Sequence, residues 1–118
     1  MNITEGIKLF NDSFYFEAHD WFEDLWMESV GDSKNFLQGL IQISVGMYHL
    51  ENENINGALS QYSKALKKLD KYPDNYEKIN LLQLKKDINY IIKQITLFYS
   101  KKNFNFRVEK LPFIELNA

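Results

Sequence analysis

Cysteine is absent from the 118 residues, so disulfides and thiolate metal sites are both excluded, and a reducing compartment fits. No basic segment followed by an apolar run opens the sequence, so no secretion signal is expected. The longest uncharged apolar stretch, Phe36 to Leu50, is too short to span a bilayer and carries Gln38 and Gln42. A one-sided basic charge is missing as well. The formal net charge is −2, which gives no global footprint for nucleic acid. No nucleophile elbow, phosphate loop or His-Glu-x-x-His motif occurs. These absences point to a cytoplasmic protein that touches neither membrane nor nucleic acid and needs no cofactor.

What is present suits one globular domain. Hydrophobic residues make up 45% and aromatics 15%, enough to bury a core without staples. The charge is unevenly spread. Residues 1–59 hold ten acids and two lysines, for −8, and residues 60–118 hold six acids and twelve basic residues, for +6. The two halves are expected to complement each other within one fold. The sharper alternative is a homodimer through opposite patches.

The stretch Phe36–Leu50 is apolar in almost every helical direction, which marks a buried central helix. Only Gln38, Gln42 and His49 break it, within about 40° of one another at 100° per residue. Gly39 and Gly46 flank this stripe. Because glycine costs roughly 1 kcal/mol against alanine inside a helix, they suggest that another backbone packs close there.

Four more helices are legible. Asn2 and Glu5 read as a capping box for a helix carrying Ile3, Ile7 and Phe10 inward and ending near Asn11. Asp12 or Ser13 should cap the next, from Phe14 to Ser29. Its inner face is Phe14, Ala18, Trp21, Phe22 and Leu25, with the Phe14/Trp21/Phe22 cluster in the core. Its outer face is the acidic row Glu17, Asp20, Asp24 and Glu28. Tyr15, His19, Glu23 and Trp26 lie along one border. The turn Gly31-Asp32-Ser33 caps the central helix. Asn54 caps a fourth helix, Ile55 to Tyr72, with lysines 64, 67, 68 and 71 outside. Pro73 breaks it. Asn80 and Gln83 read as a capping box for a fifth helix, lined by Leu84, Ile88, Ile91, Ile92, Ile95 and Tyr99 and ending near Ser100, with Ile79 plugged into the core before it. The expected fold is all-α: a compact five-helix bundle of antiparallel helix pairs over 1–102. Residues 103–118, with the alternating Phe104-Asn-Phe-Arg-Val and Pro112, form an extended C-terminal arm. That arm should pack on the bundle or a neighbouring subunit, with no partner strand in this chain.

Gly6 precedes Ala18 by twelve residues, as Gly46 precedes Ala58, and Phe22 and Tyr62 follow each alanine by four. This offset of 40 residues resembles the small-residue spacing of tetratricopeptide helix pairs, although Leu25 replaces the second small residue that Ala65 supplies.

The segment Leu9-Phe-Asn-Asp-Ser-Phe-Tyr-Phe-Glu-Ala-His-Asp-Trp-Phe-Glu-Asp-Leu-Trp is distinctive. So are Phe36-Leu-Gln-Gly-Leu-Ile-Gln, Tyr48-His-Leu and Asn54-x-x-Gly-Ala. Together they resemble domain-of-unknown-function family 309, small all-helical proteins of bacteria, archaea and plastids. The family pattern falls on Asn11, Tyr15, Phe16, Glu17, Ala18, His19, Glu23, Trp26, Gln38, Gly39, Gln42, His49, Asn54 and Gly57. Ser13 and Glu53 stand where that pattern has glycine, and Asp20 where it has glutamate. Ser13 implies an ordinary dihedral or a cap at its turn. The family carries no established activity, so the resemblance speaks to fold.

An antiparallel pairing of the second and third helices would place Trp26 by Phe36, Glu23 by Gly39 and His19 by Ile43. His19, Glu23, Trp26, Gln38, Gln42, His49 and Tyr15 are therefore the candidate polar cluster. The leading reading is a buried network in which Glu23 accepts from Gln38, Gln42 and His19 and locks helix register, in a non-catalytic binding or scaffold domain. The second is a pocket for a small ligand or protein partner. The third is an enzyme or metal site on His19, Glu23 and His49. The two histidines would stand about 9 Å apart along the helices at 1.5 Å per residue, too far for easy co-ligation. Glu17 should serve a cap or a salt bridge.

Overall fold

Each of the five apolar-periodic segments folds as a helix in the computed structural model, which describes residues 2–100 and 110–117. The helices are α1 (Thr4–Asn11), α2 (Tyr15–Glu28), α3 (Gly31–Glu51), α4 (Ile55–Leu69) and α5 (Leu81–Ser100). Neighbours in the chain pack on one another, α1 on α2, α2 on α3 and α3 on α4. The fold is thus all-α, apart from one small hairpin. No helix among the described residues is long and apolar enough to cross a membrane.

Helix α3 is the axis of the core. Phe36, Leu37, Leu40, Ile43 and Met47 are sealed from solvent, and Gln42 and Ser44 are buried with them. The glycines work differently from the expectation. Side chains, not a backbone, fill the space above them: Leu69 sits against Gly39 and the Tyr62 ring against Gly46. A Cβ added at Gly46 would stand 2.5 Å from a Tyr62 ring carbon, and one added at Gly6 would stand 2.5 Å from a Phe22 ring carbon. The 40-residue offset is therefore a repeated packing device, with a ring set on a glycine sixteen residues earlier in both helix pairs.

The inner face of α2 is narrower than the periodicity suggested. Tyr15, Ala18 and Phe22 are buried, whereas Phe14 is 54% and Trp21 37% exposed, so neither belongs to the core. Phe14 lies outside the helix at the N-cap position, and the Trp21 indole N–H donates to the Asn2 carbonyl at 3.3 Å. The buried stripe is turned toward Tyr15, which frees the edge where Phe14 and Trp21 stand.

Helix starts follow the sequence only in part. Asn54 caps α4 by accepting from the Gly57 N–H at 3.0 Å, and Asn80 accepts from the Gln83 N–H at 3.2 Å. The Gln83 side chain does not reach back to close a box; it donates forward to Asp87 at 2.8 Å. The N-cap positions of α1, α2 and α3 are Ile3, Phe14 and Val30, without side-chain caps. Asn2 accepts from the Thr4 N–H one step outside the expected box, and Gly31 enters α3 with φ +66°. Ser13, expected to keep an ordinary dihedral, has φ +67°, and Glu53 has φ +60°. Both hold the left-handed turn that glycine adopts without strain, at a cost of roughly 1–2 kcal/mol each.

After Pro73 the chain makes an unexpected hairpin, β1 (Asn75–Tyr76) against β2 (Ile79–Asn80). Glu77 and Lys78 both have positive φ, as a two-residue turn of the favoured hand requires. Ile79 plugs fully into the core, as its position predicted. The hairpin also supplies the partner strand the C-terminal arm was expected to lack. Ile79 bridges Leu116 antiparallel, and the Asn117 N–H donates to the Lys78 carbonyl at 2.7 Å. Residues 110–117 thus lie along the bundle of their own chain, with Ile114 buried. The Tyr99 side chain and the alternating stretch from Phe104 to Val108 lie outside the described residues.

Candidate functional site

The α2–α3 pairing is antiparallel in the expected register. Lys34 Nζ sits 4.2 Å over the Trp26 ring at one end of the seam. Phe16 and Tyr48 meet at 5.4 Å between ring centres near the other.

The candidate polar residues do not form one network. His19 and Glu23 pair along α2, Nε2 to Oε2 at 3.0 Å, at the partly exposed rim of the seam. His19 Nδ1 faces the Phe16 carbonyl and an Asp20 carboxylate oxygen, each at 3.3 Å. Both ring nitrogens therefore have a protein oxygen within contact distance. Among the described residues no hydrogen bond joins His19 or Glu23 to Gln38 or Gln42. The physical reason is angular. His19 and Glu23 lie on the rim of α2, away from its buried Tyr15/Ala18/Phe22 stripe, whereas Gln42 is turned inward on α3.

Gln42 is the buried member, and its Oε1 has no hydrogen-bond partner. Such an acceptor costs about 1–3 kcal/mol relative to a satisfied one. Gln42→Leu removes it at similar length, so the variant should be more stable by about 1 kcal/mol, raising Tm by a few degrees. A lower Tm in a melting experiment would show that the amide is satisfied after all.

His49 lies in the last turn of α3. The Asn54 side chain fixes its own orientation by accepting from Gly57, so its amide nitrogen donates to His49 Nδ1 at 3.3 Å. Tyr15 is buried beside Phe10, and its hydroxyl accepts from Ser13 Oγ at 3.4 Å. Burial lifts the Tyr15 pKa, helped by the nearby Glu51 charge and opposed by the Ser13 bond. Gln38 is half-buried. Among the described residues no three His, Asp or Glu side chains converge to hold a metal ion, so His19, Glu23 and His49 do not make a ligand set.

The rim carries a different constellation. Phe16 is 47% and Tyr48 40% exposed, and the Phe16 ring also meets His19 at a tilt, 5.6 Å between ring centres. Glu17, Asp20 and Glu51 are exposed at the same end of α2, and Asp24 and Glu28 continue the acidic row toward its other end. Among the described residues Glu17 forms neither of its expected partnerships. It faces Glu51, whose pKa rises through burial first and the Glu17 charge second. Among the described residues Glu17, Asp24, Glu28 and Glu51 have no cationic partner.

One polar residue escaped the sequence reading altogether. Asp87 is 5% exposed and gathers Gln83, Lys110 at 3.5 Å and the Phe113 N–H at 3.3 Å. Its signal was present, since a carboxylate three residues after Leu84 and one before Ile88 falls on the apolar stripe of α5 and needs partners.

No curated protein matches the chain. A family model described as a domain of unknown function (DUF309) matches residues 3–61, from α1 into the middle of α4. That span contains the α2–α3 seam, the left-handed turns at Ser13 and Glu53, and the Phe22-on-Gly6 contact, and it stops one residue short of Tyr62. The chain belongs to the DUF309 family.

Proposed function

We propose that this chain is a non-catalytic binding domain of the cytoplasm that docks a basic segment of a protein partner on the α2–α3 rim. The observation that supports this is the pair of exposed rings in tilted contact, Phe16 and Tyr48, with Glu17 and Glu51 nearby and without cations among the described residues. Aromatic anchors beside charge of one sign suit a partner of opposite charge: the rings supply affinity, and the carboxylates steer the encounter. The enzyme reading on His19, Glu23 and His49 has less support, because His49 is tied to Asn54 and both nitrogens of His19 are engaged.

The test is titration of the protein with a lysine-rich amphipathic peptide, followed by amide shifts. Shifts should cluster on residues 16–24 and 48–51 and weaken as salt rises. Phe16→Ala with Tyr48→Ala should cut affinity at least about tenfold, as loss of anchor residues does, while Tm changes little. Shifts spread evenly over the molecule, or unchanged affinity in the double variant, would remove this reading.

A further inference from the structure

At the other end of α3 from Tyr48, the start of that helix and the end of α4 enclose a cleft of about 320 Å³ with the hairpin. That is the lower end of the size range for small-ligand sites. Two half-buried rings, Tyr72 and Tyr76, form one wall, 4.8 Å apart between centres. Both rest edge-on against the fully buried Phe36, at 5.3 and 4.6 Å, so a rigid floor holds them. The Tyr72 hydroxyl donates to the Asp32 carbonyl at 2.6 Å, tying the hairpin side of the cleft to α3. Burial, Tyr76 and the Asp32 charge all push the Tyr72 pKa up, which keeps that donor protonated.

The polar lining is complementary in kind. Lys68 stands in the last turn of α4 and Lys71 in the turn just after it, and among the described residues neither has an acidic partner. Asp32, whose charge acts on Tyr72, and Asn35 line the cleft from the start of α3. Asp32 has no cation within ion-pair distance among the described residues either, although two lysines share its cleft. A cleft that holds aromatic faces, an unpaired cation pair and a separate unpaired carboxylate suits a ligand with three matching parts. These are a planar ring, an anionic group, and a ring edge bearing adjacent N–H donors.

We propose that this cleft binds a guanine mononucleotide, with the base against Tyr72 and Tyr76, its N–H edge toward Asp32, and the phosphate at Lys68 and Lys71. Stacking on an aromatic ring contributes about 1–3 kcal/mol per base, and lysine–phosphate contacts are charge-assisted. The volume accommodates one nucleotide. Five of the seven lining residues follow residue 61, where the family match ends, and only Asp32 and Asn35 fall inside it.

The experiment is amide-shift titration of the whole chain with GMP, guanosine, inorganic phosphate and the trinucleotide GpGpG. GMP should bind with a dissociation constant below about 1 mM, shifting amides near 32–35 and 68–76. Guanosine and phosphate should each bind at least about tenfold more weakly, since each lacks one set of contacts. Lys68→Gln with Lys71→Gln should weaken GMP about tenfold or more and leave guanosine unchanged, while Asp32→Asn should weaken both. These side chains are not core members, and an unchanged Tm in the variants confirms that the fold persists. Phosphate binding as well as GMP, GMP affinity untouched by the lysine variants, or no shift at the cleft would each overturn the proposal. Tighter binding of GpGpG than of GMP would reassign the surface to a single strand and overturn it as well.

Discussion

Asn11→Ala should cost about 2–4 kcal/mol and release the C-terminal segment from the bundle, although Asn11 is a half-buried residue at the end of a short helix. Its side chain clamps one distant residue from both sides. Nδ2 donates to the Ile114 carbonyl at 3.0 Å, and Oδ1 accepts from the Ile114 N–H at 2.8 Å. Alanine leaves both backbone groups unpaired in partly buried surroundings, at roughly 1–3 kcal/mol each. Ile114 is 1% exposed, and its burial contributes a further 1.5–3 kcal/mol or so that depends on the clamp holding. Other anchors persist, including Asp87 to the Phe113 N–H and Lys78 to the Asn117 N–H, so the segment should loosen at Ile114 first. Urea melts measure the cost, and hydrogen exchange locates it at the Ile114 amide. Asn11→Asp separates the two bonds. It keeps an acceptor for the N–H but sets an ionised oxygen against the Ile114 carbonyl. That repulsion raises the folded-state pKa of the new carboxyl above its unfolded value near 4, so the native state binds the proton more tightly. The penalty should therefore be full at neutral pH and shrink as pH falls through the folded-state pKa, where the protonated group can donate again. A loss under about 0.5 kcal/mol in Asn11→Ala would mean that the clamp contributes nothing to stability.

The helices were legible because their cause is local and periodic. Phe36 to Leu50 announces a buried rod in any context, and Asn54 and Asn80 cap where their spacing says they should. The hairpin at 75–80 was not legible. Its turn residues Glu77 and Lys78 are not the glycine or asparagine that normally mark positive φ, and its strands are two residues long. Ser13 and Glu53 misled for the same reason: the surrounding helices impose the left-handed turn on residues that do not prefer it. Among the candidate site residues, helical spacing correctly paired His19 with Glu23, an i,i+4 contact fixed within one helix. It could not join that pair to Gln42. That step depends on how α2 and α3 are rotated about their own axes, and a rotation of some tens of degrees decides whether two borders meet or pass. The exposure of Trp21 fits such a rotation, whereas Phe14 is exposed because it stands before the first turn of α2. The cleft at Tyr72 and Tyr76 was invisible for a further reason, because its walls come from three elements whose meeting no local pattern records.

Gly6→Ala and Gly46→Ala should each destabilise the fold by about 1–3 kcal/mol, although alanine is the better helix former by roughly 1 kcal/mol. The new methyl at Gly46 would stand 2.5 and 2.7 Å from two carbons of the Tyr62 ring. That ring cannot swing away. Tyr62 is fully buried, and its hydroxyl donates to Met47 Sδ at 2.9 Å. At Gly6 the obstacle is the Phe22 ring, also fully buried, at 2.5 and 2.9 Å. Each pair of helices must therefore separate or shift its ring, and the lost packing exceeds the helix-propensity gain. The two sites lie in different helix pairs with no shared partner, so the costs in the double variant should add within about 0.5 kcal/mol. Rescue gives the sharper test. Tyr62→Leu costs stability by itself, because the ring and its contact with Met47 are lost, but Gly46→Ala should then be nearly neutral or stabilising. A double-mutant cycle of urea melts should return a favourable coupling of about 1–2 kcal/mol between positions 46 and 62, and a comparable one between 6 and 22 with Phe22→Leu. Coupling near zero in both cycles would mean that the 40-residue spacing is a coincidence of sequence and not the way this chain brings its helices together.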